Sequence, residues 1–144
     1  QCPHCGHAYP LLKRLMNEMY KEMMFVFRNF PLAEAHPFAT IAALAAEAAG
    51  NQGKFWEMHD MIFENQQNFS NHIFLDFSAS LQLDKNKFAS DWKSKETLAK
   101  IERDFEGGVR SGVNGTPTFF INGTRLSTYD GSYESLKNAV VALF

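Results

Sequence analysis

An α/β fold, a small mixed core interrupted by an all-helical subdomain, is predicted by three features of the sequence. Cys2 and Cys5 form a Cys-x-x-Cys pair where a helix begins, residues 36 to 112 carry helical periodicity with no strand signal, and Asn122-Gly123 separates two short β-forming runs. The core is expected to comprise residues 1–35 and 113–144, and the helical subdomain residues 36–112.

Each element has its own signal. Leu11, Leu12, Leu15, Met16 and Met19 recur at helical spacing after the cysteines, so the first element is a helix that Pro10 should kink. Met23 to Phe30 is rich in aromatic and branched residues and is closed by Pro31, which predicts a buried strand. Pro37 suits a first helical position, and Ile41, Leu44, Ala45 and Ala48 make one face before Gly50. A second inserted helix carries Phe55, Met58 and Ile62, and a third carries Ile73, Phe77 and Leu81. Asp84 caps a fourth that sets Phe88 and Trp92 one turn apart, and a fifth shows Leu98, Ile101 and Phe105, ending near Gly107 and Gly108. Strands Thr116–Ile121 and Thr124–Leu126 flank the Asn-Gly turn, and Ser132 caps a last helix striped by Leu136, Ala139, Val140 and Leu143.

Composition narrows the function. The net charge of -2 is spread among interspersed acids and bases, with no basic stripe, which argues against nucleic acid as a partner. The most apolar stretch, Ile41 to Ala49, includes Glu47 and falls short of the roughly 20 residues a membrane span needs. The only two cysteines sit too close together to staple distant parts of a fold.

That spacing suits disulfide exchange, which needs one exposed thiolate and a second thiol able to displace the mixed disulfide. Cys2, at the helix start, is the expected nucleophile, and Cys5, one turn in, the resolving thiol. A free cysteine titrates near ~8.5 and such motifs reach roughly 3.5 to 7.5, so a drop of ~3 units corresponds to about 4 kcal/mol favouring thiolate. The helix dipole supplies at most ~2 kcal/mol, which leaves the rest to hydrogen bonds and to His4 between the thiols, with Pro3 fitting the first turn. A stabilised thiolate makes the disulfide form the better oxidant. Pro117, at the head of a strong β segment, suggests a cis Thr116-Pro117 bond that frees the Thr116 backbone to pair with an extended substrate.

CPHCGHAYP, FRNFPL, GNQGKFWEMHD and GVNGTPTFFING together resemble the DsbA-like members of the thioredoxin superfamily over nearly the whole chain. The resemblance implies a thioredoxin-like core with an inserted all-helical subdomain, an attacking Cys2, a resolving Cys5, a tuning Pro3-His4 dipeptide, and a cis Pro117 preceded by Thr116. It also implies a four-stranded core, a peptide cleft between the two motifs, no cofactor, and an extracytoplasmic or periplasmic setting. Protein or peptide thiols would be substrates, and a further redox partner would reset the enzyme. Threonine before the cis proline is similar to the disulfide isomerases of the family, so oxidase and isomerase or reductase both stay open. Family members also carry a central strand before the Cys-x-x-Cys helix, where only Gln1 stands here. Its absence should leave two apolar sheet edges open, and the sequence reads as an excerpt of a longer protein, or as a homodimer that exchanges a strand.

Other readings compete. His4 and His7 beside the cysteines would make a zinc half-site, but four ligands in one turn give poor tetrahedral geometry and no second Cys or His pair follows. An idle disulfide on a peptide-binding module and a glutathione-linked transferase are further alternatives on the same scaffold. His36 and His59 read as a helix-start residue and a partly buried polar contact. Asn114-Gly115-Thr116 and Asn122-Gly123-Thr124 fit glycosylation acceptors, but turn formation explains them better, and the phenylalanines and methionines read as core.

Overall fold

The computed structural model describes residues 1–70 and 72–143. Seven α-helices are present among them: α1 Pro3–Met19, α2 Ala39–Gly50, α3 Phe55–Glu64, α4 Ile73–Ser80, α5 Lys85–Trp92, α6 Lys95–Arg110 and α7 Tyr133–Val141. A short 3-10 turn, Gln66–Asn68, follows α3, and strands β1 Phe120–Ile121 and β2 Thr124–Arg125 precede α7. The chain divides into two compact units, one formed by Gln1 with Arg28–Gly112, the other by Cys2–Phe27 with the residues from Val113 onward.

In the first unit α2 is the hub, in contact with α3, α4, α5 and α6. Its sequence explains this, because Ala45, Ala48 and Ala49 are fully buried and too small to hold neighbours away. The space they leave is filled by Phe74, Phe88 and Met58, each with no exposed surface. Capping follows the side chains: the Asp84 carboxylate accepts from the Lys87 amide at 2.7 Å, and the Ser94 hydroxyl accepts from that of Thr97 at 3.0 Å. The fifth inserted helix does not stop at Gly107 and Gly108. It runs to Arg110 and ends where Gly112 adopts φ 80°, a left-handed conformation that only glycine takes without strain.

One buried polar network joins the extended segment after Phe27 to α2 and α6. The Asn29 side-chain amide donates to Glu47 Oε1 at 2.6 Å and to Asp104 Oδ2 at 3.1 Å, and the Asn29 backbone N–H donates to the same Asp104 oxygen at 3.2 Å. Lys100 Nζ reaches Glu47 at 2.7 Å and Asp104 at 3.4 Å, and Arg28 reaches the other Asp104 oxygen at 3.3 Å. Two carboxylates thus face two cations, and the charges cancel. Burial works against ionised Asp104, yet the Asn29 bonds and Lys100 outweigh it and hold its pKa below the ordinary value. Phe30 stacks on Phe105 beside this network, ring centroids 4.3 Å apart.

The second unit contains the small sheet. Asn122 and Gly123 have φ 48° and 82°, the left-handed pair that a tight two-residue hairpin requires. Phe120 pairs with Arg125 and Ile121 with Thr124, and a bond from Leu126 N to Phe119 O at 2.8 Å continues the ladder. α1 passes through Pro10 as one helix and packs on α7 through a seam of Leu15, Tyr133, Leu136 and Val140. Ser132 caps α7, its hydroxyl accepting from the Ser135 amide at 3.1 Å.

The expected buried strand over residues 23–30 is not formed. The alternation that suggested it is real, since Met23, Phe25 and Phe27 are half-buried and Met24 and Val26 are 85% and 62% exposed. Alternation makes one chain compatible with a sheet, but a strand needs a ladder, and among the described residues the sheet consists of β1 and β2 alone. Of the four-stranded core implied by the resemblance, the described residues form two strands.

Two stability predictions follow from the helical unit. Replacing Phe88 by Ala should cost about 3–5 kcal/mol in urea unfolding, because no neighbour of a fully buried ring is free to collapse into its place. Asp104 has a folded pKa below its unfolded one, so its contribution is complete above about pH 4 and is lost as pH falls through the lowered value. Urea midpoints measured from pH 6 down to pH 2 should therefore fall less steeply for Asp104→Asn than for the unmodified protein.

Candidate active site

Cys2 occupies the N-cap of α1 with extended backbone angles, Pro3 takes the first helical position, and the Cys2 carbonyl accepts the first helical bond from Gly6 N at 3.0 Å. The sequence dictates this placement. Proline lacks the N–H that the first turn would leave unused, and its fixed φ starts the helix immediately after Cys2. The amides of His4 and Cys5 are then directed at the Cys2 side chain. Pro3 and His4 are exposed, while Cys2 and Cys5 are half-buried free thiols.

The other wall comes from the far end of the sequence. The Thr116–Pro117 peptide bond is cis, and the Cys2 thiol donates to the Thr116 carbonyl at 3.5 Å. The Thr116 hydroxyl is buried and closes no hydrogen bond of good geometry, but it lies close enough to both sulfurs to lower the pKa of each. A buried hydroxyl in this position gains a partner when a sulfur ionises and breaks no existing bond in doing so. The Thr118 hydroxyl is by contrast satisfied locally, donating to Gly115 O at 2.7 Å.

The two thiols are tuned in opposite directions. For Cys2, burial opposes ionisation, but the Thr116 side chain, the Cys5 amide and thiol, and the His4 amide together bring its pKa below the ordinary value. For Cys5, burial dominates, and its pKa is pushed up to about 12, with the negative charge of Cys2 adding to the rise. The arrangement can hold a thiolate at Cys2 and keep Cys5 protonated.

All six residues singled out from the sequence belong to the second unit: Cys2, Pro3, His4, Cys5, Thr116 and Pro117. The His4 backbone N–H is directed at the Cys2 sulfur and helps to lower its pKa. Reasoning from sequence assigned Thr116 a backbone role and missed its hydroxyl, because nothing local marks which side chain faces a site formed by residues more than a hundred positions away. His7 is exposed near the start of α1, and the contact not foreseen from sequence is that of its ring nitrogen, which donates to Gly131 O at 3.0 Å and ties the start of α1 to the turn before α7. Next to that turn, Ser132 donates to Asp130 and lowers the Asp130 pKa to about 2. Among the described residues no group of three or more His, Cys, Asp or Glu is placed to hold a metal ion. His59 is buried beside Asp60, 3.1 Å from Nδ1 to Oδ1, with the Phe55, Trp56 and Phe63 rings around it.

Comparison with known proteins agrees with this architecture. The family model described as thioredoxin matches residues 1–141. Curated relatives are named Na(+)/H(+) antiporter NhaA 1 of Salinispora arenicola, 40% identical, and NhaA 3 of Salinispora tropica, 38% identical, each matched over 100% of this chain and 22% of the relative. The Na(+)/H(+) antiporter NhaA of Herminiimonas arsenicoxydans is 36% identical over 94% of this chain and 21% of its own length. The chain thus spans about a fifth of the curated relatives it matches. Among solved structures, the thiol-disulfide exchange protein alpha-DsbA2 from Wolbachia pipientis superposes with a TM-score of 0.77 at 20% identity, covering 99% of this chain and 76% of that one. With the thioredoxin model spanning all but the last few residues and a DsbA-type structure sharing the fold, the chain belongs to the thioredoxin family and has a DsbA-like architecture.

Proposed function

We propose that this chain is a thiol:disulfide oxidoreductase acting on protein or peptide thiols, with Cys2 as the exchanging sulfur, Cys5 as its resolving partner, and oxidation of substrates as the favoured direction. The observation that carries the reading is the placement of Cys2 at the N-cap of α1, its thiol 3.5 Å from the Thr116 carbonyl beside cis Pro117 and Cys5 one turn further in, an arrangement that lowers the Cys2 pKa and raises that of Cys5.

In the oxidising direction a substrate thiolate attacks Cys2 of the Cys2–Cys5 disulfide, and a substrate–Cys2 bond forms as the Cys2–Cys5 bond breaks. Cys5 leaves as a thiolate and, given its high pKa, takes up a proton at once. A second substrate thiolate then attacks the substrate sulfur of the mixed disulfide and releases Cys2 as a thiolate. Two substrate thiols lose two electrons, and the enzyme disulfide gains them. The last step is favoured because a thiol of low pKa is the better leaving group. Pro3 fixes the helix start, the amides of His4 and Cys5 and the Thr116 hydroxyl stabilise the Cys2 anion, and the Thr116 backbone beside Pro117 offers an edge for an extended substrate. A separate redox partner would restore the disulfide.

The antiporter names of the relatives are not carried over. The matched part is 22% of each of the two Salinispora relatives, and no helix of the described residues is long and apolar enough to cross a membrane. An extracytoplasmic setting fits a DsbA-like oxidant, since a disulfide enzyme poised to oxidise has its use where thiols are not kept reduced.

Three measurements test the reading. Iodoacetamide at neutral pH, followed by peptide mass mapping, should label Cys2 well before Cys5. Cys2→Ser should abolish oxidation of a dithiol peptide, whereas Cys5→Ser should accumulate a mixed disulfide with the substrate; full activity in Cys2→Ser would overturn the assignment. Thr116→Val should raise the Cys2 pKa, read from the pH dependence of thiolate absorbance, and shift the glutathione equilibrium towards a more reducing enzyme.

A further inference from the structure

The segment that brings Thr116 to the sulfurs is held by a bond within itself. The Thr118 hydroxyl donates to Gly115 O at 2.7 Å, so that Thr116 and Pro117 lie inside a closed ring. Proline has no N–H to give, and the side chain that follows it supplies the donor instead. No atom stands within 4 Å of where a Cβ on Gly115 would lie, so on that side the segment has no packing support from outside.

What the bond fixes is the direction of one side chain. A residue before proline is confined to extended conformations, which leaves Thr116 its own φ and the tilt of the Gly115–Thr116 peptide plane. Thr118 holds the oxygen of that plane. Thr116 is β-branched and has few side-chain rotamers, so its hydroxyl can point in few directions once the backbone is set. That hydroxyl is buried and closes no hydrogen bond, while the carbonyl of the same residue lies 3.5 Å from Cys2 Sγ. With no bond of its own to orient it, the hydroxyl takes its place from the backbone that carries it.

Resting on the exchange activity proposed above, we infer that Thr118 is a positioning residue for it: its hydroxyl, through Gly115, holds the Thr116 hydroxyl against the Cys2 and Cys5 sulfurs. Thr118 touches neither sulfur in this role, and its effect on Cys2 passes through Thr116.

The test compares two substitutions. Thr118→Val keeps the shape of the side chain and removes the donor, whereas Thr118→Ser keeps the donor. In Thr118→Val the acid dissociation constant of Cys2, read from the pH dependence of thiolate absorbance in the folded, reduced protein, should fall about threefold to tenfold, as expected for losing much of one hydrogen bond to the sulfur. Thr118→Ser should leave it within about twofold of the unmodified protein, and Thr118→Ala gives the same reading as valine should the valine variant not fold. In a Thr116→Val background, Thr118→Val should produce no further fall, because the group it positions is already gone. A lower urea midpoint with an unmoved Cys2 titration would make Thr118 merely structural and overturn the inference, as would a fall that Thr118→Ser shares or one that persists in full beside Thr116→Val. The titration needs no turnover. Full activity in Cys2→Ser would overturn the exchange reading and leave the positioning result standing, whereas Cys2-dependent exchange with an unmoved titration in Thr118→Val would overturn the positioning role alone.

Discussion

The first turn of a helix leaves amide hydrogens that the helix itself does not use, and the site depends on what is placed over them. Here it is the sulfur of Cys2, held at the N-cap by a proline that starts the helix one residue later. Cys5 belongs to the same turn but points into the unit, where desolvation outweighs every stabilising contact. A spacing of two intervening residues is therefore enough to make two chemically identical thiols unequal. The amides alone do not account for the lowering of Cys2. Thr116 supplies the largest favourable contribution, so the lowering depends on a residue from the C-terminal part of the chain being held against Cys2.

That packing is secured on the side of α1 away from the thiols. The apolar seam of Leu15, Tyr133, Leu136 and Val140 joins α1 to α7, and a polar clamp lies along its edge. Glu18 accepts from the Tyr133 hydroxyl at 2.5 Å, from Lys137 at 2.9 Å and from Arg14 at 2.9 Å, which lowers its pKa to about 2, and the Arg14 guanidinium lies 3.8 Å from the centre of the Tyr133 ring. The charged members are exposed to solvent and screened by salt, so the seam contributes most of the free energy and the clamp mainly fixes the rotation of one helix on the other. His7 adds a tether near the N-terminal end of α1 through Gly131.

Features with a local cause were legible in the sequence. Asp84 and Ser132 cap the helices assigned to them, Asn122-Gly123 makes the tight turn, and the cysteines sit at a helix start, because each of these is decided within four residues. Features decided by distant partners were not legible. Met23 to Phe30 has the composition of a strand, but composition does not supply a neighbour, and Gly107-Gly108 looks like a stop although α6 runs two residues further, to Arg110. Asn29, Glu47 and Asp104 gave no sign of their association, since they lie far apart in sequence and polar residues at those positions read as surface.

That association solves a problem created by the alanines of α2. A helix surface made of small side chains accepts neighbours closely but discriminates poorly among registers, since sliding a partner by one turn replaces one methyl group by another. A buried hydrogen-bonded charge network does discriminate. Moving α6 by a turn would separate Asp104 from Asn29 and Glu47 from Lys100, leaving a buried carboxylate without its hydrogen-bond donors. The network adds little net stability over an apolar replacement, because desolvating the Glu47 and Asp104 carboxylates offsets most of what they regain from Asn29 and from two cations that stay partly in water. Its effect is to make one packing of the helices around α2 far better than the others, which the alanine face by itself would not do.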